Sequence, residues 1–190
     1  SYIGLVEVGV GLLPGGGGTK EFALRASDSY FEGDTQIPTI VDKLKNIATA
    51  AVSTSAHEAF DLGYLLDNRD SVCFGTQRVL QQAKEKVLAL SEGYVAPSAK
   101  PVTVLGRTGL ATLYTAINEY FLGKYMSEHD VEISRKIAYV LCGGDLTGQQ
   151  QVSEQYLLDI EREAFMQLLG TQKTQERIQY MLMNSKPLRN

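Results

Sequence analysis

Four consecutive glycines at residues 15–18 place the strongest constraint on what this chain can fold into. They follow Pro14 and precede Thr19, a residue type that often caps the N-terminus of a helix. Because glycine has no Cβ atom, such a run favours a tight turn, so the sequence predicts a turn leading into a short helix that ends near Arg25. The preceding apolar residues 2–12 predict a buried strand that passes into a loop.

The glycine run matches neither of two phosphate-binding motifs. A P-loop requires a lysine directly after its last glycine, because that lysine reaches the phosphates, but here Thr19 separates Gly18 from Lys20. A dinucleotide-binding GxGxxG motif is not met either, since the nearby "GVGLLPG" is one residue off and is interrupted by Pro14. The pattern alone therefore favours a structural turn, with Glu7 as an ordinary carboxylate at a strand end.

The remainder of the chain is predicted to be rich in helices, because apolar residues recur at helical spacing. The predicted helices cover approximately residues 40–51, 79–90, 110–120, 127–141, 152–169 and 174–183, with a further short helix capped by Ser53 or Ser55 and ended by Gly63. Residues 26–38 are predicted to form a loop, "DSVCF" a short strand, and "YVAPSAKPVTVLGRTG" a linker beyond which the chain is wholly helical. The predicted fold class is mainly α, with a minor β component at the N-terminus.

Composition and charge disfavour several classes of function. The net charge of −4 disfavours non-specific binding of nucleic acid, which requires basic patches that displace counterions. No apolar segment is long enough to span a bilayer. The two histidines and two cysteines lack the spacing of a metal site, so no metal is expected.

The same side chains are given ordinary structural roles. Cys73 and Cys142 are expected to be buried free thiols in a reducing compartment. His57 is expected at or near the surface, and His129 in the solvated first turn of a capped helix. The acidic residues of "LLDIERE", at 157–163, are expected on a solvated helix face.

The segment "GLVEVGVGLLPGGGGTKEF" resembles the crotonase, or enoyl-CoA hydratase, superfamily. Members carry a glutamate a few residues before a G-x-x-P-G-x-G-G-T loop, and here Glu7 precedes residues 11–19. "VSTSAHEAFDLGYL" resembles another crotonase segment. "SEHDVEISRKIAYVLCGGD", "VSEQYLLDIEREAF" and "KTQERIQYMLMNSKPLRN" are similar to bacterial bifunctional 3-hydroxyacyl-CoA dehydrogenases with a hydratase-like C-terminal region. The resemblance implies the C-terminal part of a crotonase-like (ClpP/crotonase) α/β fold at residues 1–93 and a helical extension at 94–190.

The resemblance also implies a site and its chemistry. Hydratases of this family add water to a 2-enoyl-CoA with two glutamates and an oxyanion hole, and Glu7 matches one of those glutamates. Gly15 and Gly16 are implied substrate-binding residues. Lys20 is a further candidate, because a lysine near a helix N-terminus can meet a CoA phosphate, and the alternative is a solvated lysine. The second glutamate and the oxyanion donors would precede this segment, so the chain is expected to be an inactive fragment. It is expected to hold no cofactor, and NAD belongs to the dehydrogenase domain of the implied parent.

Two alternatives to hydration stay open at this point. The region can be a non-catalytic crotonase-like scaffold or oligomerisation module, or it can catalyse another reaction of the superfamily, such as isomerisation or thioester hydrolysis. The implied substrate is an acyl-CoA thioester in fatty-acid β-oxidation, and the implied location is the cytoplasm. An exposed strand edge at residues 2–10 predicts a homo-oligomer, because an unpaired edge promotes association.

Overall fold

A computed structural model describes residues 2–67 and 69–190 of the 190-residue chain. As predicted, the fold is mainly helical, with 58% helix and 5% strand, and it contains two small sheets. The helices in this part are α1 (Gly18–Asp28), α2 (Ile37–Ala48), α3 (Ala56–Asp61), α4 (Val79–Ser91), α5 (Gly106–Leu122), α6 (Glu128–Leu141), α7 (Glu154–Leu169) and α8 (Gln172–Asn184). The strands are β1 (Ile3–Gly4), β2 (Val52–Ser53), β3 (Val102–Val104) and β4 (Gln150–Val152), and short 3₁₀ helices cover Glu7–Val10 and Thr76–Arg78.

One of two compact units comprises residues 1–3 and 53–99. In this unit, the hydroxyl of Ser53 in β2 links to the backbone of Ile3 in β1. Ser53 Oγ accepts a hydrogen bond from Ile3 N–H at 3.1 Å and lies 3.2 Å from Ile3 O. Of the two serines that the sequence offers as caps, Ser53 and Ser55, it is Ser55 that caps α3 by accepting a hydrogen bond from Glu58 N–H. Helix α4 has no buried residue. The boundary expected between residues 93 and 94, which separates the crotonase-like part from the helical extension, stays a prediction.

The second unit, residues 4–52 and 100–190, is built around α6. This helix packs against α1, α2, α5 and α7, and it buries Ile133, Ile137 and Leu141 completely or nearly so. Its N-terminus is a capping box between Ser127 and Asp130, as predicted, because each side chain accepts the backbone N–H of the other. The central position of α6 gives this unit one continuous apolar core.

A second sheet joins the predicted linker to the region beyond it that the sequence predicted to be wholly helical, since β3 lies in the linker and β4 in the helical region. β3 and β4 pair antiparallel, with Val102 opposite Val152 and Val104 opposite Gln150. Val102 and Val104 are each 1% exposed. Each strand has three residues and the pairing is distant in the chain, so neither periodicity nor a turn signal marks it. The prediction failed because tertiary packing, not local propensity, forms these strands.

The N-terminal prediction of a buried strand over residues 2–12 is also wrong in part. Only Ile3–Gly4 is a strand, and Glu7–Val10 forms a 3₁₀ helix. Helix α1 has Gly17 and not Thr19 as its N-cap, and it continues to Asp28, so the predicted 26–38 loop is shorter at both ends. "DSVCF" is not assigned to a strand.

The cysteine prediction is correct for one residue. Cys142 is fully buried, and burial raises the pKa of its thiol to about 12. Cys73 is half-buried, and its thiol contacts Gly75 O at 3.5 Å. Both are free cysteines.

Candidate functional site

Glu7 is the first residue of the 3₁₀ helix Glu7–Val10 and is half-buried. Its carboxylate oxygen Oε2 is enclosed by protein and has no hydrogen-bond partner within the described part of the chain. Leaving a buried polar atom unpaired costs about 1–3 kcal/mol, and more when the group is charged. Native structures seldom contain such an atom unless water, a ligand or a reaction uses it. Glu7 is therefore the candidate reactive group.

The backbone that carries Glu7 is fixed by local hydrogen bonds and by a glycine. Leu12 N–H donates to Glu7 O at 3.1 Å, and Gly11 N–H donates to Val8 O at 3.0 Å. Gly11 has a φ of 87°, in the left-handed region that favours glycine. A Cβ atom at this position would also lie 2.8 Å from Thr174 Oγ1. Glycine is thus needed for both the turn and the close approach of α8.

Two fully buried side chains of α8 hold this backbone from outside the segment. Thr174 Oγ1 donates a hydrogen bond to Gly11 O at 2.7 Å. Arg177 Nη1 donates to Val8 O at 3.3 Å. The two acceptor carbonyls flank the C-terminal end of the 3₁₀ helix, so α8 fixes the segment on which Glu7 is carried.

Arg177 is held in turn by the N-terminus of α6. Its Nη1 lies 2.8 Å from Asp130 Oδ1, and its Nη2 donates to Ser127 Oγ at 3.1 Å. Its Nε donates to Asn190 Oδ1 at 2.8 Å. Burial acts to raise the pKa of Asp130, but the Ser127 N–H and the Arg177 guanidinium outweigh it, so this pKa is lowered. The buried guanidinium is therefore paired with a carboxylate that stays ionised.

His129 is also part of this buried polar cluster, and the prediction that it is solvated is wrong. The residue is 1% exposed. Its Nε2 lies 2.8 Å from Thr174 Oγ1, and its Nδ1 lies 3.2 Å from Glu132 Oε2. Since Thr174 gives its hydroxyl proton to Gly11 O, its oxygen accepts the Nε2–H of His129. Burial lowers the pKa of His129, although the Glu132 carboxylate acts in the opposite direction.

The N-terminus of α1 is capped by a carboxylate from α7. Glu161 Oε1 accepts the N–H of Gly17 at 2.6 Å, and Oε2 accepts the N–H of Lys20 at 2.9 Å. Gly17 is the N-cap residue and has no side chain with which to cap the helix. Glu161 is 1% exposed and provides the missing acceptors, which favours a negative charge at this helix end. Its predicted place on a solvated helix face is wrong.

Burying the Glu161 carboxylate changes its pKa. Burial raises the pKa of Glu161, whereas the backbone N–H groups of Lys20 and Gly17 lower it, and the net direction is upward. The two hydrogen bonds therefore offset only part of the desolvation of this carboxylate.

The three predicted substrate-binding residues lie at this same helix end. Gly15 and Gly16 are exposed, and a Cβ atom at Gly15 would overlap the ring of Phe165, whereas the space beside Gly16 is open. Lys20 Nζ lies 3.0 Å from Glu154 Oε2 and 3.4 Å from Glu21 Oε2. Glu161 already accepts the Gly17 and Lys20 N–H groups at this helix end, so a CoA phosphate bound here would lie beside a carboxylate. The role of Lys20 in substrate binding stays a prediction.

The polar residues that build the site were not predicted from the sequence, although one pattern marks them. Glu161 follows the apolar stripe of α7, four residues after Leu157 and three before Ala164. Arg177 likewise lies three residues after the buried Thr174 on α8. A charged residue at a core position of an amphipathic helix is the signal that identifies such groups, because that face points inward.

Neither a metal site nor a membrane-spanning helix is found in the part of the chain that the structure describes. Among residues 2–67 and 69–190, no three His, Cys, Asp or Glu residues lie where they could hold a metal ion. Within the same ranges, no helix is both long and apolar enough to cross a membrane.

Comparison with known proteins finds similarity to one curated bacterial protein. The chain is 41% identical over 191 residues to a probable 3-hydroxyacyl-CoA dehydrogenase of Bacillus subtilis (strain 168). The match includes the whole of this chain but only 24% of that relative, so the chain spans about a quarter of its length. No family model and no solved structure matches the chain.

Proposed function

We propose that this chain forms part of a fatty-acid β-oxidation enzyme that combines 3-hydroxyacyl-CoA dehydrogenase and enoyl-CoA hydratase regions. The relative, which is 41% identical to this chain over 191 aligned residues, is named a probable 3-hydroxyacyl-CoA dehydrogenase, and this name supports the pathway and the acyl-CoA substrate class. The hydratase part rests on Glu7, whose enclosed Oε2 has no partner among the described residues. That free carboxylate oxygen is the single observation that carries the proposal.

The chemistry assigned to Glu7 is proton transfer during the addition of water to a 2-enoyl-CoA. A carboxylate oxygen without an internal hydrogen bond is available to take a proton from the attacking water or, when protonated, to give that proton to the α-carbon of the substrate. In the proposed enzyme a second glutamate and two backbone N–H donors, from segments outside this chain, complete the site and stabilise the enolate-like thioester oxygen. The 190-residue chain by itself is then expected to show no hydration.

The proposal assigns NAD to a separate dehydrogenase domain of the parent enzyme. Gly15 and Gly16 are proposed to face the substrate, because both are exposed. Lys20 is proposed to assist with a CoA phosphate, in competition with its ion pairs to Glu154 and Glu21.

The test is hydration of crotonyl-CoA by the full-length product of the gene that encodes this chain, with and without Glu7→Gln. We expect the variant to lose at least about a hundredfold in kcat, the usual contribution of a positioned acid or base. Glu163→Gln is the matched control, because Glu163 is exposed on α7. Equal rates for the native protein and Glu7→Gln would contradict the assignment.

A second candidate function, a non-catalytic scaffold, is favoured by the packing of the glycine turn. Gly15 lies against Phe165, and Gly17 donates its N–H to the buried Glu161, so two of the glycines have structural reasons to be present. If the full-length protein oxidises a 3-hydroxyacyl-CoA with NAD but never hydrates crotonyl-CoA, the scaffold proposal replaces the hydratase proposal.

A further inference from the structure

Thr174 and Arg177 of α8 form hydrogen bonds to the backbone of the segment that carries Glu7, and these contacts suggest a role beyond stability. Thr174 and Arg177 are 0% exposed, and each donates to a backbone carbonyl within four residues of Glu7. Neither lies near Glu7 in the sequence, since the two hydrogen bonds join residues 163 and 169 positions apart. A helix near the C-terminus therefore carries the donors that hold the N-terminal candidate reactive segment.

We propose that Thr174 and Arg177 are positioning residues that hold the 3₁₀ helix in the orientation at which the Glu7 carboxylate can transfer a proton. The proposal rests on the proposed hydratase function. Acid–base catalysis depends on the distance between the carboxylate and the reacting atom, and a displacement of about 1 Å can cost about a hundredfold in rate. A short 3₁₀ helix has few hydrogen bonds of its own, so outside contacts must supply its rigidity.

The contacts around Thr174 show why the position of its hydroxyl is defined. The Nε2–H of His129 donates to Thr174 Oγ1, so the hydroxyl proton is directed towards Gly11 O. The left-handed backbone at Gly11 places that carbonyl next to α8. His129, Thr174 and Gly11 thus form a directed chain of hydrogen bonds that ends at the Glu7 segment.

The contacts around Arg177 lead to the same segment from a second direction. Asp130 and Ser127, the capping box of α6, pair with its Nη1 and Nη2. The guanidinium therefore links the rigid N-terminus of α6 to Val8 O. Because α6 is the central helix of its unit, the position of the 3₁₀ helix is tied to the most buried element there.

The decisive variants change Thr174, because one substitution removes its hydroxyl and another keeps it. Thr174→Val removes the hydroxyl but keeps the volume, and Thr174→Ser keeps the hydroxyl. In the full-length gene product, at a temperature where all variants are folded, we expect Thr174→Val to lower kcat for crotonyl-CoA hydration about tenfold to a hundredfold with little change in KM. Thr174→Ser should recover most of kcat.

A double variant separates positioning from general stability. If Thr174 acts through Glu7, then adding Thr174→Val to Glu7→Gln should lower kcat by much less than it does in the native protein, because the group being positioned is already lost. Additive losses in kcat, or a native kcat in Thr174→Val, would overturn the proposal.

A second readout distinguishes failure of this inference from failure of the proposed function. Hydrogen exchange at the Gly11 and Leu12 amides, which close the 3₁₀ helix, is expected to speed up in Thr174→Val but not in Thr174→Ser. If the native protein hydrates no crotonyl-CoA but exchange follows this order, the catalytic assignment fails while α8 still holds the segment. Unchanged exchange in Thr174→Val refutes the positioning role itself.

Discussion

Helices α6 and α4 have similar sequence patterns but opposite surroundings. Both present apolar residues at helical spacing, and the sequence predicts both. Helix α6 packs against α1, α2, α5 and α7 and has eight buried residues, whereas α4 has none, and Leu80 of α4 is 82% exposed. An apolar stripe therefore predicts that a helix forms but not what covers it, because the covering surface belongs to other elements. The comparison can be tested by matched substitutions in the two helices.

The largest difference is expected for truncation of an apolar side chain. Ile137→Ala in α6 should lower the free energy of unfolding by about 2–5 kcal/mol, because Ile137 is fully buried and a cavity would remain. Leu80→Ala in α4 should change it by less than about 0.5 kcal/mol, because the side chain is already in water. Urea titration of the purified chain measures both. A large cost at Leu80 would show that a partner covers α4 in solution.

The next largest difference in unfolding free energy is expected between a buried carboxylate, Glu161, and an exposed one, Glu85 of α4. Glu161→Gln should lower the free energy of unfolding by about 1–3 kcal/mol, since an amide can accept only one of the N–H groups of Gly17 and Lys20. Glu85→Gln in α4 should be close to neutral, because Glu85 is exposed and its hydrogen bond comes from Gln81 in its own helix. The same titration applies, and equal effects at the two positions would contradict the capping role of Glu161.

A smaller difference is expected at serines near helix ends. Ser127→Ala removes the N-cap of α6 and an acceptor of Arg177, and we expect a cost of at least about 1 kcal/mol. Ser91→Ala near the end of α4 removes only an exposed bond to Leu88 O, so little change is expected. Thermal unfolding followed by circular dichroism compares the two. A cost at Ser127 no larger than at Ser91 would mean that the capping box contributes nothing.

The smallest effect is a pH dependence from a buried histidine, which α6 contains and α4 lacks. Because burial lowers the pKa of His129 in the folded state, the unfolded chain takes up a proton first as the pH falls. Stability is therefore full above about pH 6.5 and declines below it as the pH approaches the lowered folded-state pKa. His129→Gln keeps an N–H donor for Thr174 without this titration.

The measurement is the free energy of unfolding from about pH 7.5 to about pH 5, the range in which histidine titrates. The native curve should fall more steeply towards acid than the curve of His129→Gln. Parallel curves would mean that His129 takes up its proton equally in the folded and unfolded states.

Local signals in the sequence were sufficient for the helices and for several of their ends. Ser55, Ser127 and Gly63 are correctly predicted as boundary residues, because capping and positive-φ turns depend on neighbouring backbone. The strands β3 and β4 were not predictable in this way. Three-residue strands have no periodicity to read, and their pairing depends on distant segments.

For the candidate site too, some features could be predicted from adjacent residues and others depended on tertiary packing. The sequence by itself determined that a carboxylate, Glu7, precedes a glycine turn and that a helix follows, because each of these is written in adjacent residues. Only the tertiary structure decided that Glu161 caps that helix. The same is true of the hydrogen bonds from Arg177 and Thr174 to the backbone carbonyls beside Glu7. The physical reason is that a buried polar group needs a partner wherever the fold can provide one, and in this protein the partners lie more than a hundred residues away.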